Sequence, residues 1–424
     1  MGILFISFIV ALLLGVPIYA AIGSSAMIAL MVGGDLPVSI IPQTFFSGID
    51  NHVLIAVAMF IIAGAIMEAS GMTDDILEVA DSLIGYLPGG VGISTLLASA
   101  LFAALTGSGL AATVAIGSIT VGGMVQRHYP RPLAGAIAAT GGALGVLIPP
   151  SNPLIIYGVI SGASISGLFM AGLIPGILIA LSLMIVMYVV GKKNKLASGD
   201  QKFSIKRIGR ALWRGKWGLI APIIILGGIY TGYTTPTEAS EVAVLYALLY
   251  GLVIKRNIGM KFLVKAFRNG AITAAVMLSM TGVASGFGRL VTLYQIPQTI
   301  GEFVTGITTD PRMVMLLLIL VLMITGMFME TLSQIIILTP IFLPIVTQMG
   351  VDPIVFGIIF VLCIEIGFLT PPIGGNLFVA VKLTDSSLLK ISKAEIPFIL
   401  TFLAWAIIFV FFPEIIMFLP NLLK

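Results

Sequence analysis

Long stretches of this chain carry almost no charge: Gly2 to Met31, Val53 to Met67, Leu168 to Val190, Gly218 to Tyr230, and Ile396 to Phe418. A helical bilayer span takes roughly 17–25 mainly apolar residues, so these stretches read as a bundle of about ten crossings. Composition agrees: 58% of residues are hydrophobic, 9% are charged, and mean hydropathy is +1.15, far outside the range of soluble domains. The fold class expected is an all-α, multi-pass membrane protein.

Charge placement orients the chain. No Lys or Arg precedes Arg127, so the first apolar stretch lacks the basic start of a cleavable signal peptide and reads as a retained helix. Lys192, Lys193, Lys195, Lys202, Lys206, Arg207, Arg210, Arg214 and Lys216 crowd one loop against the single acid Asp200, which marks the cytoplasm. A basic surface of this kind also suits membrane lipid, and it gives no reason to expect nucleic acid. The single Cys363 excludes an internal disulfide, and His52 and His128 alone make no zinc constellation. There is no GxxxxGK[ST], HExxH or GxSxG, so neither an ATP-driven pump nor a hydrolase is supported, and the chain is not expected to be an enzyme. The glycines of "GVASGFG" (Gly282–Gly288) lie in an apolar span, where they suit close helix packing.

The chain also repeats itself. A shift of 222 places Gly145–Leu178 on Gly367–Leu400 without a gap, with ten of 34 pairs identical, among them Pro149/Pro371, Pro150/Pro372 and Pro175/Pro397. Upstream the shift becomes 219 and brings Thr106-Gly107 onto Thr325-Gly326. The expected organisation is a first repeat over 1–190, a cytoplasmic basic loop with a linking helix over 191–234, and a second repeat over 235–424. Basic residues at 192–216, 255–268 and 382–393 go to the cytoplasm; 162–167, 231–240 and 347–352 contain no Lys or Arg and go to the other side. The two halves then enter the membrane from opposite faces, an inverted-topology repeat. That parity requires two re-entrant hairpins, at about 90–127 and 311–348, each followed by a broken helix, at about 131–161 and 353–383. Short stretches at 73–87 (acidic) and 259–269 (basic) suit interfacial helices bracing a mobile part against a fixed one.

The broken helices carry the chemistry. Pro149-Pro150 and Pro371-Pro372 supply no N–H, so preceding carbonyls lose their helical partners. At bilayer depth such backbone persists only where it is packed in protein or lines a polar cavity. Those oxygens suit a hard cation, and two sodium sites are expected: Thr106, Gly107, Ser108, Gly145, Ile148 and Pro150 in the first half, and Thr325, Gly326, Gly367, Thr370 and Ile373 in the second. Asn152 and Asn376, with Ser151, Thr113 and Ser333, are candidates for substrate contact; each also suits an interhelical hydrogen bond. The intramembrane acids Glu330 and Glu365 suit either a coupling proton or charge balance for sodium. Glu68 and Glu238 read as interfacial, with Glu238 in a helix cap.

Taken in order, "GSGLAATVAIGSI" (Gly107–Ile119), "GVLIPPSNPLIIYG", "LFMAGLIPG" (Leu168–Gly176), "YTTPTEASEVAVLYAL" (Tyr233–Leu248), "LTPIFLPI" (Leu338–Ile345) and "IGFLTPPIGGNLFVA" resemble the large membrane subunit of the tripartite ATP-independent periplasmic (TRAP) transporters across essentially the whole chain. The resemblance implies an ion-transporter fold of the elevator type and sodium-coupled import of an organic acid anion such as a dicarboxylate, keto acid, sugar acid or sialic acid. It implies two partners, a periplasmic substrate-binding protein and a small four-helix membrane subunit. In some relatives that subunit is fused at the N-terminus, whereas this sequence starts at "MGILFISFIV", so a separate one is expected. The location implied is the inner cytoplasmic membrane of a bacterium or archaeon. Two other readings remain: a proton-coupled or binding-protein-independent carrier using Glu330 and Glu365, and a channel built on the paired hairpins.

Overall fold

The computed structural model describes residues 2–33, 37–196, 203–372 and 374–423, and the regular elements among them are all helical. Asp200, Lys202 and Ile373 lie outside the described residues. The first five helices are α1 (Gly2–Leu13), α2 (Ile18–Gly33), α3 (Ile40–Ile49), α4 (Leu54–Ala69) and α5 (Met72–Ile84). A helix–turn–helix follows, α6 (Gly90–Thr106) and α7 (Gly109–Gln126), then a helix in two pieces, α8 (Arg131–Gly145) and α9 (Asn152–Ser161). Next come α10 (Ile165–Lys193), α11 (Ile205–Tyr230), α12 (Pro236–Leu249) with a π-helical turn over Tyr250–Ile254, α13 (Met260–Leu293) and α14 (Ile296–Ile307). The second helix–turn–helix is α15 (Pro311–Gly326) and α16 (Thr331–Gln348), the second two-piece helix is α17 (Pro353–Phe368) and α18 (Gly375–Thr384), and α19 (Leu388–Phe411) and α20 (Glu414–Leu422) close the chain.

Local chemistry sets many of these starts. Thr235 and Glu238 form a reciprocal capping box with Pro236 in the first turn of α12. Asp310 and Asp352 accept from the N–H two residues on, at 2.9 and 2.7 Å, each followed by a proline that opens α15 or α17. Among the described residues, seven helices are long and apolar enough to cross a membrane, eight when the α3–α4 pair, bent by 53°, counts as one span. That is fewer than the sequence reading of about ten, because α1, α2, α6, α15 and the apolar pieces of the two-piece helices are each shorter than 18 residues.

Packing separates an inner set from an outer one. The inner set is α6–α9 with α15–α18: α7 and α8 pack together and against α18, while α16 packs on α9 and α17. The outer set includes α1–α4 and α11–α13, with α13 running against α2, α3, α4 and α16. Close approach along α13 depends on missing side chains, since a Cβ on Gly282 would stand 2.8 Å from Ile49 and Phe45 of α3. Buried aromatic hydroxyls tie helices to one another: Tyr157 donates to the Pro353 carbonyl at 2.7 Å, and Tyr230 to the Phe169 carbonyl at 3.0 Å.

At one end the acidic face of α5 meets basic side chains from other elements. Asp81 pairs with Arg207 at 2.6 Å and Glu78 with Arg214 at 3.5 Å, both on α11. Asp75 is 9% exposed; it accepts from Lys255 at 2.8 Å and from the buried Tyr250 hydroxyl at 2.6 Å. The Glu78–Arg214 pair is exposed and contributes little, the Asp81–Arg207 pair is half-buried, and the Asp75 cluster holds α5 to the end of α12. Asp75→Ala strands Tyr250 without its acceptor and is expected to destabilise by about 1–3 kcal/mol. Thermal unfolding in detergent should show a clear fall in midpoint for Asp75→Ala and a smaller one for Glu78→Ala.

Candidate functional site

In the first half, the α6–α7 turn is fastened to the broken helix by backbone alone. The Asn152 N–H donates to the Gly107 carbonyl at 3.1 Å, and Gly107 takes φ +63, so a Cβ there would be strained and would approach Asn152 to 3.1 Å. Ser108 and Ser151 cap α7 and α9, accepting from Ala111 N–H and Leu154 N–H at 3.4 Å each. Thr106 is buried against Gly64 of α4. Gly145 sits where α8 crosses α6, and a Cβ on it would overlap Ala103.

Pro149 and Pro150 leave the Gly145 and Val146 carbonyls without the donors four residues on. Gly145 recovers one from Ile148 N–H at 3.3 Å; among the described residues no donor reaches the carbonyls of Val146, Leu147 or Ile148. The second half has the same arrangement. The Gly367 carbonyl accepts from Thr370 N–H at 2.8 Å, while among the described residues nothing donates to the carbonyls of Phe368, Leu369 or Thr370. Gly326 and Gly367 touch backbone to backbone: a Cβ on Gly326 would lie 2.8 Å from the Gly367 Cα. The Thr325 hydroxyl donates within its helix and to Gln334 Oε1 at 3.2 Å, and the Thr370 hydroxyl donates to the Ile366 carbonyl at 2.7 Å, leaving lone pairs on both. Pro149-Pro150 and Pro371-Pro372 are both cis.

Between the two turns lies a cavity of about 210 Å³ lined by Gly107, Ser108, Gly109, Val146, Asn152, Pro153, Glu330, Thr331, Glu365 and Phe368, with Thr273 and Met277 from α13. Three helices, α7, α9 and α16, present their N-terminal turns to it. Ser108, Ser151 and Glu330 each cap one of these turns and the Asn152 N–H is spent on Gly107, so what the three turns share is the positive ends of their helix dipoles. Both polar atoms of the Asn152 side chain are buried without a protein partner. Glu330 accepts from Ser333 N–H and Oγ at 3.4 Å, and Glu365 Oε1 accepts from the Thr331 hydroxyl at 2.8 Å while its Oε2 is buried and unpartnered.

Of the sequence candidates for substrate contact, Asn152 lines the cavity. Thr113 and Asn376 face each other instead, Oγ1 to Oδ1 at 3.3 Å, joining α7 to α18 away from that lining. Ser151 is a buried cap and Ser333 a partner of Glu330. Ile373 lies outside the described residues. Three residues went unnoticed in the sequence. Thr273 and Met277 sit on a helix with no break to mark it. Glu395 is fully buried on α19, with Thr140 donating to its Oε1 at 3.5 Å and Oε2 unpartnered. It follows the basic run 382–393 and carries no motif, but Ile391, Glu395, Phe398 and Phe402 form one helical stripe that places the carboxyl inward.

A fold with two helix–turn–helix units and two broken helices around a polar, helix-capped cavity is that of a membrane transporter. The sequence matches the family described as the tripartite ATP-independent periplasmic transporter, DctM component, over residues 5–415, and the chain belongs to that family as its large membrane subunit. Similar proteins include the isethionate TRAP transporter permease protein DctMQ of Oleidesulfovibrio alaskensis, 41% identical over 99% of this chain and 66% of that protein. This chain therefore spans slightly less than two thirds of that relative. The C4-dicarboxylate TRAP transporter large permease protein DctM of Pseudomonas aeruginosa is 36% identical over 95% of this chain and 94% of its own. The sialic acid TRAP transporter large permease protein SiaM of Vibrio cholerae is 33% identical over 96% and 95%. Among solved structures, the YdaH transporter of Alcanivorax borkumensis superposes with a TM-score of 0.64 at 15% identity, covering 88% of this chain and 87% of that one, which shows a shared fold.

Gly107→Ala forces an L residue to positive φ and crowds Asn152, so it is expected to cost about 1–3 kcal/mol. A lowered unfolding midpoint, together with faster hydrogen exchange at the Asn152 amide, checks this; unchanged exchange would show that the turn and the broken helix are not coupled.

Proposed function

We propose that this protein is the permease of a sodium-coupled, binding-protein-dependent secondary transporter that imports an organic acid anion across a bacterial inner membrane. The observation that carries the reading is the cavity between the two turns, on which three helix N-termini converge. No Lys or Arg lines it, and two carboxylates do, so an anion there depends on backbone dipoles and on a neighbouring cation for its counter-charge. The donor-free carbonyls of Val146–Ile148 and of Phe368–Thr370 are hard oxygen ligands on either side of the cavity, the chemistry sodium requires. Two bound sodium ions would raise the affinity for the anion, and by linkage the anion would raise theirs.

Substrates named for the relatives are isethionate, C4-dicarboxylate and sialic acid, each an acid that is anionic at neutral pH. An acid of this class is the proposed cargo, delivered by a periplasmic binding protein, with a small membrane subunit covering the exposed apolar faces of the outer set. In the proposed cycle the inner set, α6–α9 and α15–α18, moves as one body against the outer helices. The halves would be inverted repeats, with 90–126 and 311–348 as re-entrant hairpins. Proton coupling remains as a second reading because the partnerless Glu365 Oε2 suits a proton donor or acceptor.

Proteoliposomes holding this chain and its small partner, with binding protein outside, test the proposal directly. Uptake of candidate acids is expected to need both the binding protein and an inward sodium gradient. Ser108→Ala and Thr370→Ala are each expected to raise the sodium concentration at half-maximal rate by about 3–10-fold, the loss of one modest ligand contact. Uptake that follows a proton gradient without sodium, and is lost in Glu365→Gln, would replace sodium by protons as the coupling ion.

A further inference from the structure

A second polar cavity, of about 400 Å³, lies between α13, α3, α9 and α16, and one cation, Arg289, stands in its wall beside Asn51, Ser285 and Thr292. Arg289 is exposed, and among the described residues no carboxylate lies within ion-pair distance of it. The neighbouring hydroxyls are committed to their own helix: Ser285 donates to the Thr281 carbonyl at 2.8 Å, and Thr292 to the Gly288 carbonyl at 3.0 Å. The guanidinium is therefore a free donor of the cavity beside the Asn51 amide, and it is the planar, charged one, suited to a bidentate carboxylate or sulfonate.

Position gives it a role. Arg289 lies 21 residues beyond Arg268 on α13, about 32 Å along the axis, a full hydrocarbon thickness from the basic start of that helix. A third space, of about 10 Å³, is walled by Leu54, Val57, Ile156 and Met277. A space that small scarcely admits one water. The three spaces share walls in sequence: Met277 lines the Asn152 cavity and the small space, and Thr281 lines the small space and the Arg289 cavity.

We infer that the Arg289 cavity is an outer vestibule that captures the anionic headgroup of the substrate before it passes the Leu54–Ile156–Met277 constriction. This rests on the organic-anion reading above, but the vestibule's selectivity can be tested without transport. In right-side-out vesicles, Ser285→Cys is reacted with negatively and positively charged methanethiosulfonate reagents. The native Cys363 is buried, and a Cys363→Ala background removes it altogether. The sulfonate reagent is expected to react about tenfold faster than the cationic one, a preference that Arg289→Gln abolishes and Arg289→Lys keeps. Thr292→Cys repeats the measurement at a second wall position should Ser285→Cys fail to fold. Equal rates with Arg289 present, or no labelling by either reagent, overturn the vestibule and leave the transport reading standing. In uptake, Arg289→Gln is expected to raise KM for the delivered anion about tenfold at unchanged maximal rate; an unchanged KM also overturns it.

Discussion

One hydrogen bond between backbones, Asn152 N–H to the Gly107 carbonyl, connects the two interruptions in the first half of the molecule. Each interruption exposes amide groups that the apolar interior cannot solvate, and each would cost several kcal/mol alone. Brought together, the C-terminal turn of α6 supplies an acceptor and the start of α9 supplies a donor. Gly107 makes this possible, because a left-handed turn with no Cβ lets Asn152 approach. The remaining carbonyls of the break and the N-termini of α7 and α9 are then held in fixed directions, which is the condition for selective ion and anion binding.

The outer helices follow from the same constraint. An inner set with a polar centre must be enclosed by apolar surface, and α13 does this along most of its length, packing on α3 and α4 on one side and α16 on the other. The cavities ranged along α13 are the gaps this packing leaves. Charged contacts are kept at the end, where Asp75, Asp81 and Glu78 meet Lys255, Arg207 and Arg214, with Asp75 buried and the Glu78 pair exposed.

Much of the helical scaffold was legible in the sequence, because its signals are local. Prolines and acidic caps announce helix starts at 236, 311 and 353, the twin prolines announce the breaks, and the glycines of 282–288 announce close packing. Asn152 and Glu330 were legible as polar residues next to broken backbone. What the sequence could not convey is which polar residues spend their hydrogen bonds on one another. Thr113 and Asn376 are 263 positions apart and meet through the packing of α7 on α18. Thr273 and Met277 belong to the site through the path of α13, and neither carries a motif. Glu395 stands just after the basic run 382–393 and carries no motif; its burial follows from helical phase, which sets it on the stripe of Ile391, Phe398 and Phe402.

The duplication itself explains why two matching runs of donor-free carbonyls flank one cavity. Both halves retain what a carbonyl site needs, twin prolines after a glycine and a helix end facing a turn, and these depend on backbone rather than side-chain identity. The halves diverge just beyond the breaks. In the first, Ser151-Asn152-Pro153 opens α9 with a cap and an uncommitted amide facing the cavity. In the second, Gly374 takes φ +42, turning between the Phe368 and Thr370 carbonyls, and Asn376 lies two positions off register, reaching Thr113 instead of the cavity. In the proposed transport reading, this asymmetry within a nearly symmetric frame would orient an anion, and the shared backbone geometry would serve the ions.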